Sequence, residues 1–125
     1  MRELRRIRGA ARLAAAAAFA GAMLAGCGGA EEPPACENPV AGSDVTMADF
    51  SYEPTCVEAA AGDALEIVNE GHEPHTFTVE ADAGAEVDVP AGERAMLSVP
   101  DLAAGTYRVI CTYHPQMEAA LRVSG

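Results

Sequence analysis

Lysine is absent from all 125 residues, and five of the eight arginines fall before Leu13. From Cys27 onward only Arg94, Arg108 and Arg122 face eighteen Asp and Glu, a net charge of −15. A surface so short of cations repels phosphate backbones and anionic lipid headgroups, which argues against a nucleic-acid partner. The acid excess reads first as a solubility-driven composition and second as a face for a basic partner. Long apolar runs are missing too. The run from Leu13 to Gly26 has fourteen residues, well short of the roughly 20 that span a bilayer as a helix. No long helical period occurs either, although "ADAGAE" is ambiguous. Histidine is limited to His72, His75 and His114, and no Ser-His-Asp grouping can be assembled, so an enzyme is not expected.

What is present begins with Arg2, Arg5, Arg6, Arg8 and Arg12 ahead of that short apolar run, the layout of a secretory signal over residues 1–26. It ends in Leu24-Ala25-Gly26-Cys27, which resembles the lipobox of bacterial lipoproteins, where the cysteine is lipidated and becomes the mature N-terminus. The alternative is an ordinary signal in which Cys27 has no such role. Residues 27–43, rich in Gly, Pro, Ala and acid, read as a tether, and residues 44–125 as one small domain. The expected location is periplasmic or at the cell surface, anchored to a membrane through Cys27.

Within the domain, "VTMADFSY", "ALEIVN", "HTFTV", "AEVDV", "RAMLSV", "TYRVI" and "AALRV" alternate or cluster apolar residues between Gly, Pro and Asp separators. Such spacing predicts an all-β Greek-key sandwich or barrel of seven or eight strands. In "ALEIVN" a period of two puts Leu65, Ile67 and Asn69 on one face. The same period in "GTYRVIC" turns Cys111 the same way as Tyr107 and Val109, toward the core.

Cys111, His114 and Met117 follow one another at intervals of three on what should be a tight loop, because Pro115 cannot continue a ladder and strand character resumes near Ala119. Thiolate, imidazole and thioether are ligands for soft transition metals. A second imidazole comes from His72 or His75, and His75 is the better candidate. Pro74 sets the backbone just before it, whereas His72 lies in a polar turn and should face solvent. Two imidazoles, a thiolate and a weak thioether form the trigonal site of copper electron-transfer proteins. Zinc, with water as the fourth ligand, is the competing metal, and thioether sulfur suits it poorly.

"PHTF" followed by "GTYRVICTYHPQM" resembles the cupredoxins, the blue copper proteins, and the short C-x-x-H-x-x-M loop is similar to that of amicyanin and other small plastocyanin-like members. The resemblance covers roughly residues 44–125. It implies one copper ion cycling between Cu(I) and Cu(II), with His75, Cys111 and His114 as ligands, Met117 axial and the edge of His114 near the surface. It also implies that the backbone N–H of Thr76 donates to the Cys111 sulfur. The family often has Asn where this chain has Thr76, which leaves the backbone contact but puts a side-chain tie between the ligand loops in question.

Export places the domain where disulfides persist. If Cys27 carries lipid and Cys111 binds metal, Cys36 and Cys56 are the remaining pair; two separate buried thiols are the alternative. The functional expectation is a monomeric carrier passing single electrons to a redox protein partner, which would be basic if the acidic surface steers docking. A copper storage or delivery module without a redox circuit, and a metal-free β-sandwich binding module, are the competing readings.

Overall fold

The computed structural model describes residues 32–42, 44–81 and 84–125. The expected signal segment and Cys27 lie outside the described residues. Among the described residues there are ten strands and no helix: β1 Val40–Ala41, β2 Asp44–Ala48, β3 Ser51–Glu53, β4 Cys56–Ala60, β5 Ala64–Asn69, β6 His75–Val79, β7 Glu86–Val89, β8 Arg94–Ser98, β9 Gly105–Cys111 and β10 His114–Ser124. They form a six-stranded sheet in the order β1-β4-β10-β9-β6-β7 and a four-stranded sheet in the order β3-β2-β5-β8.

The period of two does what it predicts. Leu65, Ile67 and Asn69 of β5 are buried while Ala64 is exposed, and Val109 and Cys111 of β9 are both buried completely. Their inner faces meet Val45 and Met47 of β2, Phe77 and Val79 of β6, and Leu121 and Val123 of β10 in one core between the sheets. Tyr52 and Phe77 cross it edge to face, with ring centroids 5.8 Å apart.

Ten strands rather than seven or eight arise for local reasons. "VTMADFSY" is a hairpin, not one strand: Ala48 pairs with Ser51 across a two-residue turn of Asp49 and Phe50. That turn carries no Gly or Asn to announce it; Phe50 itself takes a left-handed φ of 67°. β4, with the sequence CVEAA, is not among the expected runs, and β1 lies N-terminal to the expected domain boundary, pairing parallel to β4. A disulfide joins Cys36 to Cys56 at the start of β4, so two features hold residues 36–41 against the domain. Three of the pairings, β1 with β4, β10 with β4 and β2 with β5, are parallel, and none of them joins strands consecutive in the chain.

Candidate metal centre

Cys111 ends β9 and His114 opens β10, and the two are paired across the turn of Thr112 and Tyr113. Residues directly opposite on neighbouring strands project from the same face. A three-residue spacing therefore puts thiol and imidazole side by side. The expected loop after His114 is an irregularity inside β10: the register jumps from His114 opposite Cys111 to Glu118 opposite Ile110, leaving Pro115, Gln116 and Met117 out of the ladder. Pro115 has no N–H to lose there. The displaced stretch turns Met117 inward, where it is 1% exposed. Burial of a side chain of this size stabilises the fold by about 1.5–3 kcal/mol, whatever else its sulfur does.

His75 opens β6, the strand beside β9, and is completely buried. Its Nδ1 lies 3.7 Å from Cys111 Sγ, and His114 Nδ1 lies 3.8 Å from the same sulfur. One ligand atom from each of the three residues falls within 4.8 Å of the others, a spacing that could hold a metal ion. The thiol of Cys111 is free. His72, as expected, points away from this cluster, its side chain 93% exposed.

Thr76 anchors the ligand end of β6 in three ways. Its backbone N–H donates to Cys111 Sγ at 3.4 Å. Its carbonyl accepts the buried hydroxyl of Tyr52 at 2.5 Å, and burial, with the nearby Cys111 second, keeps that phenol protonated far into the alkaline range. Its Oγ1 accepts the N–H of Thr112 at 2.9 Å, and Thr78 Oγ1 lies 2.9 Å away. The side-chain tie left in question by the absence of Asn is thus supplied by the threonine hydroxyl. Asn69 arranges the loop leading to His75: its amide donates to the carbonyls of Glu73 at 2.8 Å and Val89 at 2.9 Å, and its Oδ1 accepts the N–H of Gly71 at 2.8 Å. Because Val89 pairs with His75, this buried amide links the loop to the strand that positions the ligand.

The four-stranded sheet reaches the same end of the molecule through the turn of Asp49 and Phe50. The Phe50 ring stands edge-on to His114, with centroids 4.8 Å apart and planes at 89°. A left-handed φ at such a residue costs on the order of 1–3 kcal/mol. Asp49 accepts the N–H of His72 at 2.8 Å, and its second oxygen lies 2.8 Å from His72 Nδ1. The His72 side chain, then its N–H, holds the Asp49 carboxyl down at about 2, and the carboxylate in turn raises His72 above its usual 6.5. At the solvent side, Glu73 lies 3.3 Å from His114 Nε2, whose side chain is 21% exposed.

A sequence profile of the cupredoxin-like domain matches residues 14–123. The chain belongs to the cupredoxin-like domain family. Solved cupredoxins share its fold. A purple cupredoxin from Nitrosopumilus maritimus is 18% identical with a TM-score of 0.54, the match covering 66% of this chain and 100% of that one. The Cu(I) form of an amicyanin variant is 25% identical with a TM-score of 0.55, covering 68% and 86%. A copper-containing nitrite reductase from Thermus scotoductus is 24% identical with a TM-score of 0.56; there the match covers 75% of this chain and 25% of that longer one. The comparison with curated proteins finds no match.

In this cupredoxin, sequence reasoning overlooked Asp49, Phe50 and Asn69 as parts of the site. Asn69 carried a signal, since a polar residue on a core face of β5 needs buried partners. Asp49 and Phe50 carried none, because their closeness to His75 and His114 depends on how the two sheets pack.

Proposed function

We propose that the chain is an exported, lipid-tethered carrier of single electrons, not an enzyme, with one copper ion held by His75, Cys111 and His114 and with Met117 as a weak axial ligand. The observation that carries this reading is the buried Cys111 sulfur, which lies 3.7 and 3.8 Å from two imidazole Nδ1 atoms and accepts the Thr76 N–H. That donor set, one thiolate with two nitrogens and a buried thioether close by in sequence, fits copper better than zinc. Bound copper would supply a one-electron couple.

The chain's own residues do the rest. Strand pairing, the Thr76 hydrogen bonds and the core around Met117 keep the donors from rearranging between oxidation states. Burial of Cys111 and His75 excludes water from the sulfur and one ring, while the partly exposed edge of His114 offers the route for electrons. Exposed Phe50 packs against that ring, and exposed Tyr113, the residue before His114, donates a hydrogen bond to Asp88. With the Glu73 carboxylate 3.3 Å from His114 Nε2 and Glu70 in the same loop, a basic redox protein is the partner we favour.

The deciding experiment adds Cu(II) to the metal-free protein. An intense visible thiolate-to-copper band is expected, and Cys111→Ser should remove it. A colourless wild-type complex, or a Cys111→Ser protein that keeps the band, refutes the assignment. A Cys27→Ser form that keeps its lipid label refutes the anchor. Rates with a basic partner should fall as salt is raised, since steering fades as the Debye length shrinks to about 8 Å at physiological ionic strength; salt-independent rates refute that choice of partner.

A further inference from the structure

The His75 ring has a second nitrogen that the metal reading leaves unused. If Nδ1 is the ligand atom, the neutral ring must carry its proton on Nε2. Nε2 is buried and has no hydrogen-bond partner. A carboxylate oxygen, Asp49 Oδ1, stands 3.5 Å from it. Asp49 comes from the opposite sheet, and the loop before His75 grips it. The N–H and ring of His72 each engage one oxygen at 2.8 Å. Gly71 leaves room for it, since a Cβ there would fall 2.4 Å from Asp49 Oδ1.

We propose that Asp49 is a positioning residue of the metal centre: its carboxylate takes the Nε2–H of His75, holds that ring in the tautomer that offers Nδ1 to the metal, and biases bound copper toward the oxidised state. The inference rests on the copper reading. A carboxylate on the outer nitrogen of a ligand imidazole fixes its tautomer and makes it a stronger donor. Solvent partly screens the Asp49 carboxylate, whose side chain is 34% exposed, but the His75 ring it faces is completely buried, and there charges are felt more strongly. His72 serves as the clamp that keeps the carboxylate in place, a use for the imidazole that the ligand set leaves over. The short path from Asp49 to the buried nitrogen runs between the sheets, so the coupling also ties the four-stranded sheet to the redox site.

The test has a metal-free arm and a copper arm. In metal-free protein, long-range proton–nitrogen NMR should show His75 as a single Nε2–H tautomer in the wild type and in Asp49→Asn, whose amide oxygen can still accept. Asp49→Ala should mix the tautomers or broaden the Nε2–H signal by exchange. In copper-loaded protein, Asp49→Asn should shift the Cu(II)/Cu(I) preference at least tenfold toward Cu(I), a rise of about 59 mV for a one-electron couple. Glu66→Gln removes a carboxylate of the same four-stranded sheet that pairs with Arg94 and touches neither ligand histidine, and it is the control, with a smaller rise expected. Identical His75 tautomers in wild type, Asp49→Asn and Asp49→Ala, an unchanged potential in Asp49→Asn, or an equal rise in Glu66→Gln would each overturn the role given to Asp49. The metal-free arm reads the contact whether or not copper binds, so a failure of the copper reading would be seen separately, as a missing visible band in the wild type.

Discussion

Replacing Thr76 with Val keeps the size and β-branching of the side chain but deletes Oγ1, the acceptor for Thr112 N–H at 2.9 Å. Thr112 directly follows the thiolate residue, so the lost bond is the side-chain tie between β6 and the ligand turn. A net hydrogen bond contributes about 1 kcal/mol, and a donor left without a partner costs about 1–3 kcal/mol when buried. Thr112 is exposed while this bond is only part-buried, so the lower end applies and the expected loss is about 1–2 kcal/mol. For a domain of this size each kcal/mol moves Tm by about 4–8 °C, giving a fall of about 4–16 °C in the metal-free protein. Thermal unfolding followed by circular dichroism measures the loss, and amide exchange locates it. The Thr112 N–H should lose protection in Thr76→Val and keep it in Thr76→Ser, which retains the hydroxyl. The Thr76 N–H, bonded to Cys111 Sγ, should change little in either variant. An unchanged Tm together with an unchanged Thr112 exchange rate in Thr76→Val would refute the tie.

Met117→Gln should retain copper but lower its reduction potential, because an oxygen donor favours Cu(II), and voltammetry showing no change would remove Met117 from the axial position. Replacing both Cys36 and Cys56 with Ser opens a loop spanning 20 residues of separation, and denaturant melts should register a loss of about 3 kcal/mol; equal stability would leave the disulfide without a structural role. The His72 ring should titrate above 6.5 by NMR, and Asp49→Asn should bring it back toward that value. Since His72 is raised and Asp49 lowered by folding, the pair's stabilisation is complete between pH 3.8 and 6.5; it disappears as pH rises through the folded value of His72 and as pH falls through that of Asp49, about 2. A His72 that titrates identically in wild type and Asp49→Asn would contradict the pairing.

The chain by itself determined the features that act over short distances along it. Side chains alternate along an extended backbone, so the faces of β5 and β9, and with them the inward thiol of Cys111, follow from the order of residues. The pairing of Cys111 with His114 needs only a two-residue turn, and Pro115 ends regular pairing for want of an N–H. Cys36 and Cys56 could be matched by counting, once the other cysteines were given their roles. The remaining features depend on contacts between residues 26 to 64 apart. Asp49 and Phe50 meet the two histidines because the β2–β3 turn of one sheet closes over the end of the other, and neither residue type foretells that. Thr76 serves as the tie because β6 lies beside β9, which places its hydroxyl against the Thr112 amide across 36 residues of sequence. Parallel pairing of β10 with β4 likewise joins strands 64 residues apart, and only the closing of the sandwich, which brings distant strand edges within reach of each other's N–H and C=O groups, selects it.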